Sequence, residues 1–146
     1  MATCPLCSTD GGTILYQNVD LRVVLVELPA YPGYCRVILR AHVAEMSDLD
    51  ADLRHRLMIT VFAVEEVLRE VVGPDKVNLA SLGNLVPHLH WHVIPRFRDD
   101  PCFPDSIWSA ATRAGHARPT PNPKALAEMI SDRIVKSLRF ASAVRA

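Results

Sequence analysis

The sequence has no surplus of charge: sixteen Lys and Arg balance sixteen Asp and Glu over 146 residues. Binding to long nucleic acid requires a clustered excess of cations, so that partner is not expected. No apolar run approaches the ~20 residues of a membrane span, and no membrane partner is expected either. Four cysteines are too few to staple a chain of this size by disulfides. The opening Met1-Ala2-Thr3-Cys4-Pro5 lacks a basic region followed by an apolar stretch, so no secretory signal is read and the cytoplasm is the expected location. Repeats and low-complexity segments are also missing. What remains is an ordinary globular balance, 49% hydrophobic and 22% charged. The length suits a single domain over residues 1–146.

The order of elements is readable from periodicity and punctuation. Residues 13–17 and 21–28 are rich in β-branched and aliphatic side chains around Asn18-Val19-Asp20, which predicts two strands joined by a turn. Pro29, Pro32 and Gly33 then enforce a loop before a third strand at 35–40. Leu53, Leu57, Val61, Val64, Leu68 and Val71 recur at helical spacing after two N-cap candidates, Ser47 and Asp50, and Gly73-Pro74 closes that long helix. Strands follow at 76–82 and 88–97. Residues 98–121 carry scattered Pro, Gly, Asp and Arg and read as a long irregular loop. Asn122-Pro123 then starts a last helix with the stripe Leu126, Ile130, Ile134 and Leu138. Strands and long helices that do not alternate regularly predict an α+β fold.

The chemistry concentrates at His88-Leu89-His90-Trp91-His92-Val93-Ile94, where half of the six histidines fall within five residues. Side chains of a strand alternate faces, which puts His88, His90 and His92 on one face and Leu89, Trp91 and Val93 on the core side. Burying three imidazoles costs polar desolvation with no packing advantage over valine, so a purely structural role is disfavoured. Two chemistries suit the row. Neutral imidazoles bind metals, and a catalytic metal held by the three is one reading. The other is nucleophilic attack on phosphorus by one imidazole, with its neighbours handling protons and phosphate charge. His90, flanked on both sides, is the best-placed nucleophile, and as a front-face residue it is expected to contribute little packing.

This row resembles the His-φ-His-φ-His-φ-φ signature of the histidine-triad family, φ being apolar, and in particular the bacterial dinucleoside polyphosphate hydrolase-like members. The likeness extends to the Cys4-x-x-Cys7 start, the Pro32-Gly33 loop, the Arg40-Ala41-His42 strand end and the long helix before the motif. It implies a roughly five-stranded antiparallel sheet with one long central helix and a C-terminal helix, usually paired into a homodimer. It further implies a nucleotide hydrolase or nucleotidyl transferase acting on a nucleotide or nucleotide conjugate, with no organic cofactor. His90 would attack an α-phosphate to form a nucleotidyl-histidine. His92 would contact the phosphate or the leaving group, and His88 would orient the site. Asn84 would donate its amide to a phosphate oxygen, Glu27 would accept ribose hydroxyls, and Trp108 would stack on a base or anchor the loop.

Cys4-Pro5-Leu6-Cys7 has the C-x₂-C spacing of a structural zinc half-site. Some histidine-triad relatives complete such a site with histidines that correspond to His42 and His88. The resemblance therefore implies a zinc held by Cys4, Cys7, His42 and His88. Two features depart from the family pattern. Tyr34 follows Pro32-Gly33 where relatives often carry a fourth histidine, and the segment from Asn84 to His88 is short. Both favour an alternative, a nucleotide-binding regulatory module with little turnover.

Overall fold

A computed structural model describes residues 4–144. Five strands form one fully antiparallel sheet in the order β1-β2-β3-β5-β4. They are β1 (Thr13–Gln17), β2 (Leu21–Leu25), β3 (Cys35–Leu39), β4 (Lys76–Ala80) and β5 (His90–Arg96). Three α-helices accompany them, a single turn, α1 (Pro5–Ser8), and two helices of 22 residues, α2 (Ala51–Val72) and α3 (Pro123–Val144), with a short 3₁₀ turn at Met46–Asp48. The α+β class and the five-stranded antiparallel sheet with its two long helices stand as expected from the sequence. The one-turn α1 carries too little periodicity to be seen there.

The capping chemistry explains where the helices begin and end. Asp50, rather than Ser47, caps α2, its carboxylate accepting from the Leu53 N–H at 2.8 Å. Gly73 ends it in the left-handed region at φ 61°. The Asn122 side chain accepts from the N–H groups of Lys124 and Ala125 at the start of α3. A second glycine has a steric reason as well. Gly33 sits at φ 84°, and a Cβ there would meet the Val72 side chain at 3.0 Å.

Both long helices cover the back of the sheet. Leu57, Val61, Val64 and Leu68 of α2 and Leu126, Ile130 and Ile134 of α3 are buried with Val23, Val37, Leu89 and Val93. Val71, at the end of the α2 stripe, is exposed instead. Each fully buried aliphatic side chain of this kind contributes about 1.5–3 kcal/mol, so the back face supplies most of the driving force for folding. The opposite face is built differently. There α1 lays Leu6 against Val24 and Ile38, and Ile94 packs with Tyr31 and Tyr34. Between these two small apolar clusters lie the polar front-face side chains.

Four strands are shorter than the sequence suggests: β3 and β4 end at Leu39 and Ala80, one and two residues early, and β2 and β5 lose more. β2 stops at Leu25, where Pro29 and Pro32 are already bending the chain. β5 starts at His90 and not at His88, because the chain bends through Val86-Pro87-His88. Residues 98–121 hold neither helix nor strand, as expected, yet they are stapled to the sheet. Arg96 and Asp100 form a buried ion pair at 2.7 Å, and Asp100 also accepts from the Cys102 and Phe103 N–H groups. Burial opposes the Asp100 carboxylate, but Arg96 and the backbone N–H groups outweigh it and hold its pKa below the usual range. Removing either partner of such a pair strands an uncompensated charge, at about 3–5 kcal/mol.

Candidate active site

The front face carries two adjoining groups of polar side chains, built from the same strand ends. The first surrounds a cavity of about 370 Å³ lined by Pro5, Leu6, Arg36, residues 82–86, His90, His92 and Trp108. β5 presents His90 and His92 side by side, their ring centroids 4.7 Å apart. The Trp108 ring meets His92 edge-on at 4.9 Å and remains half exposed. The loop around residues 98–121 thus reaches back to the histidines, and Asn84 joins the lining from the segment before β5. Glu27 does not. It is exposed beyond the end of β2 and lies outside the cavity lining.

His90 and His92 are buried, at 8% and 5% exposure, so the expectation that a front-face histidine packs little is corrected. The cover comes from Trp108 and the segment before β5. Hydrogen bonding fixes the proton on His90. Its Nδ1 lies 2.6 Å from the His88 carbonyl, which can only accept, so Nδ1–H donates and the Nε2 lone pair is free. Burial lowers the His90 pKa, and the Arg36 charge adds to this against the opposing carbonyl bond. His92 is pushed down to about 3 by burial, then by His90 and Arg36. Both rings are therefore neutral near pH 7.

A stability consequence follows from His92. Its unfolded pKa is near 6.5 and its folded pKa about 3, so the unfolded chain takes up a proton that the folded ring refuses. This contribution to stability is complete above pH 6.5 and is lost progressively as pH falls towards 3. Thermal melts of wild type and His92→Asn at pH 7.5 and 4.5 check it. The wild-type melting temperature is expected to fall further than the variant's, and equal falls would count against it.

The second group lies beside the cavity. The ligand atoms of Cys4, Cys7, His42 and His88 all fall within 4.8 Å of one another. His88 Nδ1 is 3.5 Å from Cys4 Sγ, 3.4 Å from Cys7 Sγ and 3.3 Å from His42 Nδ1. Its Nε2–H donates to the Leu39 carbonyl at 2.7 Å, which leaves the Nδ1 lone pair facing the thiols. Tetrahedral Zn–S and Zn–N bonds of ~2.3 and ~2.0–2.1 Å give ligand separations of about 3.3–3.8 Å, so the donor set fits a metal ion. His88 thus lies on the front face with the other two histidines, as alternation predicts, but turns its ring to the thiols and His42. Its ring belongs to this cluster and His90 and His92 do not join it, which removes the reading of a catalytic metal held by the three histidines.

The sequence reading missed Arg36. It stands opposite His92 in the β3–β5 register and lines the cavity. The signal was present: Arg36 is the lone charge within the apolar run Cys35–Leu39, on the face that alternation assigns to Tyr34 and Ile38. Among the described residues no carboxylate pairs with it, which leaves its charge directed at the site.

A family model described as HIT domain matches residues 10–99. The chain belongs to the HIT family. This HIT protein is 29% identical over 104 residues to the asymmetrical bis(5'-nucleosyl)-tetraphosphatase of Schizosaccharomyces pombe, a match covering 67% of this chain and 57% of that enzyme. The chain thus spans little more than half the length of that curated relative. A histidine triad protein from Bradyrhizobium japonicum has a similar structure, with TM-score 0.71 and 25% identity over 91% of this chain and 97% of that one. A Zn-bound histidine triad family protein from Mycobacterium smegmatis shares the fold at TM-score 0.59 and 18% identity, over 95% of this HIT protein and 97% of its counterpart.

Proposed function

We propose that the protein is a nucleotide hydrolase or nucleotidyl transferase that attacks an α-phosphate with His90. The observation that carries this reading is the His90 Nδ1–H bond to the His88 carbonyl, which frees a neutral Nε2 lone pair beside His92 and Arg36. In the first step Nε2 forms an N–P bond while the bond from phosphorus to the leaving oxygen breaks, and that oxygen takes up a proton. Water then cleaves the N–P bond, releasing a nucleoside monophosphate and restoring His90. Arg36 supplies positive charge to the phosphate, and the Asn84 amide supplies a further donor. Trp108, half exposed at the rim, offers a ring face to a base. The kinship with a protein named as a dinucleoside tetraphosphatase supports a nucleotide conjugate as substrate.

Turnover of a dinucleoside tetraphosphate and of a fluorogenic nucleoside phosphoramidate tests the reading. Release of nucleoside monophosphate from either is expected. Binding of the monophosphate without turnover of any such substrate would instead favour a nucleotide-binding module, for which Tyr34 in place of an imidazole is the specific argument.

Zinc is the metal that the Cys4, Cys7, His42 and His88 set suits best, two thiolates and two neutral imidazoles. Its role in this reading is structural, tying α1 to the end of β3 and to the segment before β5. A homodimer is part of the same proposal. β4 is an open sheet edge, and Phe62 on α2 is half exposed. Sedimentation at micromolar concentration is expected to give twice the single-chain mass.

A further inference from the structure

Tyr34 occupies the position before β3 and is 2% exposed. Its hydroxyl oxygen lies 2.5 Å from His92 Nδ1 and 3.1 Å from Arg36 Nε. These contacts have a forced polarity. Arg36 Nε–H can only donate, so the phenol oxygen accepts there. The phenol has one proton of its own, and His92 Nδ1 is the acceptor within reach. Were Nδ1 protonated instead, the phenol oxygen would accept from both neighbours and its own buried proton would be left without an acceptor among the described residues, at about 1–3 kcal/mol. His92 Nδ1 therefore carries no proton, and the neutral ring bears its hydrogen on Nε2. His90 is the mirror case, with hydrogen on Nδ1 and a bare Nε2. Two neighbouring histidines of one strand thus hold opposite tautomers.

We propose that Tyr34, oriented by Arg36, is a positioning residue that locks His92 in the Nε2–H tautomer, so that His92 donates to phosphate or leaving oxygen while His90 attacks. The proposal rests on the function put forward above for the cavity. A phenylalanine would fill the same slot, so packing alone does not account for the hydroxyl. Burial holds the Tyr34 pKa above its ordinary value despite Arg36, which keeps the phenol protonated and able to donate. With the lock removed, His92 is free to place its proton on Nδ1. Its Nε2 lone pair would then face the oxygen that gains negative charge, and the two would repel. Wrong-tautomer histidines cost up to about 10⁴-fold in rate in well-studied hydrolases.

The test combines imidazole ¹⁵N NMR of the resting protein with kinetics. In wild type, His92 is expected to show a pyridine-like Nδ1 and a protonated Nε2, with His90 the reverse. Tyr34→Phe is expected to abolish the single His92 tautomer and to lower kcat about 10²-fold or more, with KM changed less than about threefold. Tyr34→His restores an N–H donor at this position and is expected to recover part of both signals. The wild-type spectrum needs neither a folded variant nor a substrate, so it decides the tautomer even if no nucleotide is turned over. A protonated Nδ1 on His92 in wild type overturns the proposal. So does a Tyr34→Phe protein that keeps both the tautomer and kcat.

Discussion

His90→Ala is expected to lower turnover of a nucleotide conjugate by about 10³–10⁶-fold, the range seen when an enzyme loses its nucleophile. Nothing else in the cavity can replace it. His92 Nδ1 is bonded to Tyr34, and the His88 ring is turned towards Cys4 and Cys7. The substitution is not silent for the fold. It removes a ring that is nearly buried and strands the His88 carbonyl, a loss of about 1–3 kcal/mol. A thermal melt at the assay temperature separates that cost from the chemical one. Quenching in alkaline denaturant with an α-labelled nucleotide, which spares the acid-labile N–P bond, adds a direct readout: wild type is expected to retain label on protein and His90→Ala none. His90→Gly with added imidazole should recover some turnover. Turnover of His90→Ala within tenfold of wild type would remove His90 from the nucleophile's role.

The sequence revealed the back of the sheet more fully than the front. Leu57, Val61, Val64 and Leu68 repeat at helical spacing because one face of α2 meets only apolar partners, and the same holds for Leu126, Ile130 and Ile134. Such faces are self-announcing. The front face obeys no single period. Its residues come from α1, β3, β5 and two loops, and their roles depend on contacts between them. His88 illustrates this: alternation placed it with His90 and His92, but its ring is turned to the thiols where the chain bends at Val86-Pro87-His88. Arg36 was visible as an isolated charge in an apolar strand, though only its register with His92 gives that charge a purpose. Tyr34 could be noticed as a departure from a family pattern. Its bond to His92 depends on tertiary geometry that no spacing rule encodes. The four metal-ligand candidates are the counterexample, since Cys4, Cys7, His42 and His88 were named together from the resemblance and the fold brings them together.

Chelation of bound metal is expected to lower the melting temperature by roughly 6–12 °C, taking about 3 kcal/mol of lost stabilisation at 2–4 °C per kcal/mol for a domain of this size. The reasoning starts from geometry. Separations of 3.3–3.5 Å from His88 Nδ1 to its three neighbours match the edges of a zinc tetrahedron. The Leu39 carbonyl orients His88 through Nε2–H, the outer contact that metal-binding imidazoles usually make. Removing the ion leaves two thiols and two imidazoles crowded together with little to hold α1 beyond Leu6 and the bonds from Arg22 to the Leu6, Thr9 and Asp10 carbonyls. The penalty is expected to stay well below the apparent 10–16 kcal/mol of isolated zinc fingers, because the large apolar core behind the sheet includes none of the four ligands. Cys4→Ser should reproduce the loss in protein never exposed to chelator. Activity should fall less than in His90→Ala, since the metal reaches the nucleophile only through the His88 carbonyl that accepts from His90. Elemental analysis of protein purified without chelator is expected to find one zinc per chain. Substoichiometric metal that added zinc cannot restore, together with an unchanged melting temperature in Cys4→Ser, would refute the site.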